Sequence, residues 1–310
     1  MSIRPMRFAT QSGSASSGPE WNDRAKRLEA LGYGTLAMPD HMIGGVWAAM
    51  PALAVAATVT QKLRVGTLVV DNDFRNPTVF ARECATLDVL TNGRFELGIG
   101  AGWLDRDYQS TGIPFDRGRV RVGRLAEAVT LLKRLFTEEQ VTFAGEYYKV
   151  EKAECRPKPV QQPYPPFLIA GGGPDILALA GREANIVAIV APGITGSGKL
   201  APEKLTLETM REQIGVVRDA AGARFGEIEL SMFLDCIVTD DRERTIAEMA
   251  KKAKTEPGAL RNSAYRGIGT LREIRDHIVR MRDAIGITYF CLRGPDVESL
   301  GPVVGELTGG

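Results

Sequence analysis

Four short segments carry residue types that could bind or act on a small molecule, and each lies at or near the end of a predicted β-strand. The first is Pro39-Asp40-His41, in which a carboxylate stands beside an imidazole. An imidazole titrates near neutral pH, so His41 could pass a proton, bind a ligand ring, or only cap the following turn. Its position directly after a predicted strand favours a functional role and makes it the catalytic candidate.

Two further segments are rich in glycine and apolar residues. Gly66 to Asp71 reads either as a buried parallel strand or, because Gly66 weakens a strand interior, as a strand with a bulge. In Gly98 to Trp103, three glycines alternate with other residues as a strand ends. Such spacing leaves one face of the strand without side chains, which suits a flat ligand lying against the backbone; the alternative is a tight turn.

The fourth segment is Ala170-Gly171-Gly172-Gly173-Pro174, between a predicted strand and a predicted helix. Successive backbone N–H groups at a helix N-terminus form a site for an anion such as phosphate. This motif is weak alone, but barrels of eight parallel strands often bind phosphate at loops in their later half.

Composition points to a small-molecule partner and away from other classes. The 39 basic and 38 acidic residues give a net charge of +1 without a long basic run, so neither nucleic acid nor a membrane surface is expected. The two histidines and the separated cysteines Cys84, Cys155, Cys236 and Cys291 show no metal-ligand spacing, so no metal is expected. Reduced cysteines and an N-terminus without an apolar stretch predict a cytoplasmic protein.

Short β-rich runs alternate with amphipathic helices along the chain. The eight runs are residues 6–10, 35–38, 63–70, 94–99, 167–170, 186–190, 228–236 and 288–292, with an inserted hairpin at 141–150. Ser17 with Glu20, Asn76-Pro77, and Thr270 with Glu273 mark helix starts. This alternation predicts a parallel sheet, either closed or open.

Two observations favour a closed α/β barrel, a (β/α)8 TIM barrel with insertion regions, as a single domain over residues 1–310. No GxGxxG follows the first run, where an open dinucleotide-binding fold needs it. The unusual residues follow several different strands, as one ligand-binding face of a barrel requires. We also interpret residues 193–198 as a loop, place His277 on a solvated helix face, and expect the arginines at 117, 119, 121 and 124 to contact a carboxylate or a ligand tail.

Long stretches of the chain resemble a known family. The block LRVGTLVVDNDFRNPTVFARECATLDVLTNGRFELGIGAGWLDRDYQSTGIPF, residues 63–115, is similar to the signature region of luciferase-like monooxygenases. It is closest to their actinobacterial branch, which is associated with the deazaflavin coenzyme F420. The resemblance continues through FAGEYYKV, PYPPFLIAGGG and IGTLREIRDHIVRMRDAIGITYF.

The resemblance implies a homodimeric TIM barrel that holds the cofactor ring in its mouth. It also implies a cis peptide between Leu68 and Val69, which supports the ring from behind. Asp40 and His41 match positions that meet the ring, and Trp103 falls in the substrate pocket. The cofactor-binding residues implied are Asp40, His41, Leu68, Val69, Asp71, Gly100, Ala101, Gly102, Ala170, Gly171, Gly172 and Gly173.

One position departs from the family pattern. Deazaflavin sugar-phosphate dehydrogenases of the family carry a Glu directly after the Gly-x-Gly loop as the presumed proton donor, and here that position is Trp103. A tryptophan can stack on a ring but cannot supply a proton, so sugar-phosphate oxidation by that mechanism is not implied. His41 is the only substitute that the sequence offers.

Three hypotheses remain open at this point. The first is an oxidoreductase that moves a hydride between coenzyme F420 and a small organic substrate. The second is an FMN-dependent monooxygenase that works with a separate flavin reductase; the lack of a hydroxyl in Gly171-Gly172-Gly173 speaks weakly against FMN phosphate. The third is a non-catalytic flavin- or deazaflavin-binding protein, because a fold does not fix a function.

Overall fold

The computed structural model describes residues 4–192 and 204–309. The described strands are β1 (Arg7–Gln11), β2 (Thr35–Met38), β3 (Arg64–Thr67), β4 (Val70–Asp71), β5 (Phe95–Gly100), β6 (Val141–Ala144), β7 (Lys149–Ala153), β8 (Phe167–Gly171), β9 (Ile186–Ile189), β10 (Glu229–Val238), β11 (Arg266–Gly269) and β12 (Tyr289–Arg293).

The helices surround these strands. They are α1 (Gly18–Ala30), α2 (Ala49–Thr58), α3 (Pro77–Leu90), α4 (Asp105–Thr111), α5 (Gly118–Thr137), α6 (Pro174–Glu183), α7 (Leu207–Ala221), α8 (Arg242–Ala253), α9 (Pro257–Arg261), α10 (Leu271–Ile285) and α11 (Gly301–Thr308). No helix within the described ranges is long and apolar enough to span a membrane.

Eight parallel strands close into a barrel. Their order is β1, β2, β3, β5, β8, β9, β10 and β12, and β12 pairs again with β1. The predicted TIM-barrel fold is therefore confirmed. Strand β11 extends the sheet beside the carboxyl-terminal half of β10, and β6 and β7 form a separate antiparallel hairpin.

The helices start and pack as their sequences indicate. The Ser17 hydroxyl accepts a hydrogen bond from the N–H of Glu20, and Thr270 with Glu273 forms a reciprocal capping box at the start of α10. The apolar stripe of α1, made by Trp21, Ala25 and Leu28, is buried against the barrel. Most of the core lies in this layer between strands and helices.

The amino-terminal end of the barrel is closed by a buried ionic cluster. Glu96 contacts Arg7, accepts a hydrogen bond from Arg64 Nε at 2.8 Å, and accepts one from the Tyr289 hydroxyl at 2.9 Å. Arg7 also binds both carboxylate oxygens of Glu229. Because every charge of this basal cluster has a partner, polar side chains can fill the barrel floor.

Above the basal cluster, small and apolar side chains fill the barrel interior, and the space opens toward the carboxyl ends of the strands. This layer includes Ala9, Ala37, Leu68, Leu168, Ala188 and Cys291.

The observed strands differ from the predicted runs at three main places. The third predicted run, residues 63–70, is divided into β3 and β4 by a cis peptide between Leu68 and Val69, at the position that the resemblance implies. The hairpin predicted at residues 141–150 extends to Ala153, because its second strand begins only at Lys149. Strand β11 was not predicted, and the predicted loop at 193–198 lies outside the described residues.

Candidate active site

A cavity of about 980 Å³ opens at the carboxyl-terminal end of the barrel. This volume is in the range of small-molecule sites. All the residues that the sequence assigned to a site line it: Asp40, His41, Leu68, Val69, Asp71, Gly100, Ala101, Gly102, Trp103, Ala170, Gly171, Gly172 and Gly173. The four segments therefore converge at one opening, as the barrel topology requires.

The floor of the cavity is the irregular backbone between β3 and β4. The Gln11 amide donates a hydrogen bond to the carbonyl of Leu68 at 2.6 Å, and the N–H of Leu68 donates to Met38 at 2.7 Å. These bonds from β1 and β2 fix the bulge from both sides.

The alternating glycines of β5 serve this bulge, which corrects their predicted role. We expected a bare face for a flat ligand, but a Cβ on Gly98 would overlap the carbonyl oxygen of Thr67, and one on Gly100 would lie 2.7 Å from Val69 Cγ2. Gly102 has φ +70°, and a Cβ there would overlap the Tyr108 hydroxyl and the Asp71 carboxylate. The glycines are required by protein packing, and the ligand-facing surface is formed by the bulge that they admit.

Asp40 is held in the cavity wall by Arg75. Arg75 makes a two-pronged contact with its carboxylate, with Nη2 at 2.9 Å from Oδ1, and the N–H of Asp71 donates to Oδ2 at 3.0 Å. Its oxygens therefore already have partners in the wall, so Asp40 fixes the end of β4 as well as lining the cavity.

His41 is oriented by a carboxylate that sequence reasoning missed. Its Nδ1 lies 2.6 Å from Oδ2 of Asp107 on α4, and the other oxygen of Asp107 accepts a hydrogen bond from the N–H of Met42 at 2.9 Å. Within the described ranges, Nε2 of His41 has no hydrogen-bond partner. The ring of Trp103 meets the imidazole edge-on with 5.7 Å between centroids.

Asp71, at the end of β4, is the most perturbed acid in the cavity wall. Burial raises its pKa to about 7, and the carboxylates of Asp73 and Asp40 add to the rise. Hydrogen bonds from the Asp73 N–H, at 3.0 Å, and from the Tyr108 hydroxyl, at 3.1 Å, oppose it. The surroundings of Asp71 therefore favour its neutral form more than those of an ordinary aspartate do.

The glycine-rich loop before α6 combines tight packing with one open position. Gly172 packs against Val190, and a Cβ on Gly172 would lie 2.7 Å from the carbonyl oxygen of Val190. The Gln213 amide donates hydrogen bonds of 2.9 Å to the carbonyl oxygens of Gly172 and Val190. At Gly173, by contrast, a Cβ would meet no atom within 4 Å. No side chain of the described residues caps α6, so its first N–H groups are available to an anion, although Asp175 stands in the same turn.

The opposite wall holds charged residues that were not predicted. Asp235, Arg266 and Arg293 occupy neighbouring register positions on β10, β11 and β12. Arg293 pairs with Asp235 at 2.7 Å and stacks over Phe233. In the described part of the chain Arg266 has no carboxylate partner, and its Nε is buried without a hydrogen bond. The strand-end positions of Asp235 and Arg293 were a usable signal; Arg266 follows a strand that was missed.

The predicted arginine cluster divides into two roles. Arg124 pairs with Asp73 at 2.6 Å and also contacts Asp116, and Arg121 donates to the carbonyl of Ala101 at 3.0 Å. These two are structural, whereas residues 117 and 119 are exposed at the cavity rim.

His277 is placed partly differently from the expectation, because it is half-buried. Its Nε2 binds the carbonyl of Ala264 at 3.0 Å, and burial lowers its pKa to about 4.

Comparison with known proteins gives a family. The family model described as luciferase-like monooxygenase matches residues 3–285.

Among the described residues, no cluster of three or more histidine, cysteine or acidic side chains could hold a metal ion.

Two curated relatives are both named F420-dependent glucose-6-phosphate dehydrogenase. The protein from Intrasporangium calvum is 38% identical over 178 residues, which are 54% of this chain and 53% of that protein. The protein from Nakamurella multipartita is 32% identical over 259 residues, which are 80% of this chain and 72% of that protein. The chain thus spans about half the length of the first relative and nearly three quarters of the second.

A solved structure supports the fold over the whole length. An F420-dependent secondary alcohol dehydrogenase, in complex with an F420-acetone adduct, aligns with a TM-score of 0.79. The two share 22% sequence identity, and the alignment covers 98% of each chain.

Proposed function

The chain belongs to the luciferase-like monooxygenase family, and from this premise we propose that it is an oxidoreductase that transfers a hydride between coenzyme F420 and a small organic substrate. The observation that carries the proposal is the convergence of four separate glycine-bearing or polar segments on one cavity of about 980 Å³. The names of the curated relatives support F420 as the cofactor.

The residues around the cavity fit such a cofactor. The backbone bulge at Leu68-Val69 and the loop from Gly100 to Gly102 would hold the ring, and the uncapped N-terminus of α6, beside the open position at Gly173, would accept the phosphate of its side chain. When bound, F420 supplies the carbon that accepts or gives the hydride. The protein positions the substrate, excludes water and holds the proton that accompanies the hydride.

We assign His41 a role at the reacting end of the cavity. Asp107 fixes its Nδ1 and thereby aims Nε2, which has no other partner in the described ranges, at a ligand. A histidine held by a carboxylate can bind a substrate oxygen or exchange a proton with it. Trp103, which is 40% exposed beside His41, offers an aromatic face to the substrate.

The substrate of the curated relatives is not carried over to this chain. Their name includes glucose 6-phosphate, but Trp103 replaces the acid that the family's sugar-phosphate dehydrogenases place after the Gly-x-Gly loop. We further propose that the protein is cytoplasmic and that its subunit is a single domain. We also propose that it is a homodimer, as the family resemblance implies. A separate reductase would be a partner only if the protein were an FMN enzyme.

Cofactor titration followed by turnover tests the proposal. The apoprotein is titrated with oxidised F420, FMN and FAD while the fluorescence of the ring is followed. We expect F420 to bind and then to turn over with members of a panel of enones, aldehydes and alcohols. Micromolar binding of FMN without binding of F420 would establish the monooxygenase alternative, and F420 binding without turnover would leave a carrier protein.

A further inference from the structure

The cavity contains one carboxyl group whose surroundings suit proton transfer and not charge pairing. Oδ1 of Asp71 accepts hydrogen bonds from the Asp73 N–H and the Tyr108 hydroxyl. Its Oδ2 accepts none from the residues that the structure describes, although Asp71 lines the cavity and is only 7% exposed. Resting on the function proposed above, we propose that Asp71 is the general acid and base that exchanges the substrate proton.

The charges around Asp71 are arranged so that none neutralises it. Asp40, packed beneath β4, is paired with Arg75, and Asp73, on the following turn, is paired with Arg124 of α5. Within residues 4–192 and 204–309, no basic side chain forms an ion pair with Asp71. The other charged neighbour, Arg121 of α5, turns its guanidinium to the carbonyls of Ala101, Gly102 and Asp116.

Tyr108 completes this environment from α4. Its single hydroxyl hydrogen is shared between Oδ1 of Asp71, at 3.1 Å, and Oδ2 of Asp73, at 3.2 Å. Burial and two nearby carboxylates favour the neutral acid, and the hydroxyl and backbone donors favour the anion, so the pKa of Asp71 lies at about 7. A general acid or base works best when its pKa is close to the working pH.

The position of Asp71 suits the proposed site. The carboxylate of Asp71 lies close to the backbone of Gly102, as shown by the overlap that a Cβ on Gly102 would make with Oδ2. Asp71 lines the same cavity as Gly102 and the Leu68-Val69 bulge, the segments proposed to hold the ring, so its carboxyl group belongs to the wall of the space where a substrate must approach the ring.

The proton step balances without another reactant. When an alcohol is oxidised, its C–H bond breaks and the hydride passes to the cofactor; its O–H bond breaks and the proton passes to the Asp71 carboxylate. The reverse reaction reduces a carbonyl, with neutral Asp71 giving the proton to oxygen. Asp71 thus supplies the proton donor and acceptor that Trp103 cannot provide.

The first test compares Asp71→Asn with the wild type. Asn keeps the shape and can accept the hydrogen bonds of Tyr108 and Asp73, but it cannot exchange the proton. At saturating F420 we expect kcat to fall by about 10²–10⁴-fold. The pH limb near neutrality should vanish, and the loss of kcat should exceed any loss of affinity for oxidised F420. A variant that loses F420 affinity but retains kcat would make Asp71 a ring-binding residue and overturn the proposal.

Two neighbouring variants test the assignment through opposite shifts. Asp73→Asn removes a carboxylate and releases Arg124, so the pH midpoint of kcat should move to lower pH. Tyr108→Phe removes a hydrogen bond to the anion, so the midpoint should move to higher pH. Shifts in the same direction, or none, would show that the limb belongs to another group, with His41 the next candidate.

A measurement on the apoprotein separates this inference from the proposed function. Carboxyl ¹³C NMR of aspartate-labelled protein should show one signal that titrates near neutral pH in the wild type and is absent from Asp71→Asn. Full ionisation of Asp71 at about pH 5 would contradict the proposal even if the enzyme uses F420. Conversely, if the wild-type protein shows the NMR titration near neutral pH but does not bind F420, the proposed function would be wrong while the perturbed pKa of Asp71 would stand.

Discussion

The two ends of the barrel treat buried charge in opposite ways. At the amino-terminal end, Glu96 is 3% exposed; burial would raise its pKa, but Arg7 and Arg64 hold the pKa below its usual range. At the carboxyl-terminal end, Asp71 is similarly buried, yet no cation in the described ranges pairs with it, and burial raises its pKa to about 7.

The difference shows which end the chain uses for stability and which for chemistry. A buried carboxylate with two guanidiniums and a tyrosine hydroxyl stays an anion at neutral pH and closes the barrel floor. A buried carboxyl without a cation changes its protonation easily, which costs stability but suits a site that exchanges protons. A raised pKa therefore distinguishes Asp71 at the mouth, whereas the paired Glu96 of the basal cluster has a lowered pKa.

The largest effect should come from breaking the basal cluster. Glu96→Ala leaves Arg7 and Arg64 without their shared carboxylate, and we expect a loss of about 3–5 kcal/mol in the free energy of unfolding, measured in urea. Glu83→Ala, on an exposed position of α3, is the matched control and should change stability by less than about 0.5 kcal/mol. Equal stabilities of the two variants would show that the basal cluster does not hold the barrel together.

The next effect tests whether the glycines beneath the mouth serve packing. Gly98→Ala drives a Cβ into the carbonyl oxygen of Thr67, so the free energy of unfolding should fall by about 1–3 kcal/mol or more. Gly173→Ala would meet no atom of the described residues within 4 Å and should leave the unfolding midpoint unchanged. If Gly98→Ala is as stable as the wild type and only ligand binding suffers, our correction of the predicted glycine role is wrong.

Removal of the unpaired acid should stabilise the protein in a pH-dependent way. The pKa of Asp71 is higher in the folded state, about 7, than in the unfolded chain, about 3.9. The contribution of this side chain to the free energy of unfolding is therefore complete below pH 4 and is lost as the pH rises through 7. Asp71→Asn should therefore raise the free energy of unfolding at pH 8 by at most about 4 kcal/mol and change it little near pH 4. A loss of stability at pH 8 would mean that the carboxylate is paired.

The smallest effect concerns the orientation of His41. Asp107→Asn keeps the size of the side chain but weakens its hold on Nδ1, and we expect about a tenfold loss in kcat/KM with F420. Asp105→Asn on the same helix, where the carboxylate accepts a hydrogen bond from the Gln109 amide, is the matched control and should retain activity. Equal activity in both variants would show that Asp107 only holds the backbone at Met42 and does not orient His41 for the reaction.

Much of the site was predictable because strand ends in a barrel meet at one face. The segments at Asp40, Gly66 to Asp71, Gly98 to Trp103 and Ala170 to Gly173 each follow a β-rich run, so recognising the barrel was enough to bring them together. The cis peptide between Leu68 and Val69 was predicted only through the family resemblance, since nothing in local residue preference indicates it.

The partners of these residues could not be predicted, because they depend on tertiary packing. Asp107 reaches His41 from a short helix 66 residues later in the chain, and Tyr108 from the same helix reaches Asp71. The pKa of Asp71 depends on which of its neighbours each arginine contacts, and spacing along the chain does not encode that choice. Strand β11 has only four residues, two of them glycine, so it lacked a periodic signal and Arg266 was missed with it.

A crystal structure of the protein with oxidised F420 tests the central claim most directly. The account predicts that the deazaflavin ring lies against the Leu68-Val69 peptide and the Gly100 to Gly102 loop, with its phosphate at the N-terminus of α6 and Oδ2 of Asp71 at the edge of the substrate space. A ring bound elsewhere on the molecule, or a mouth that stays empty at saturating F420, would contradict it.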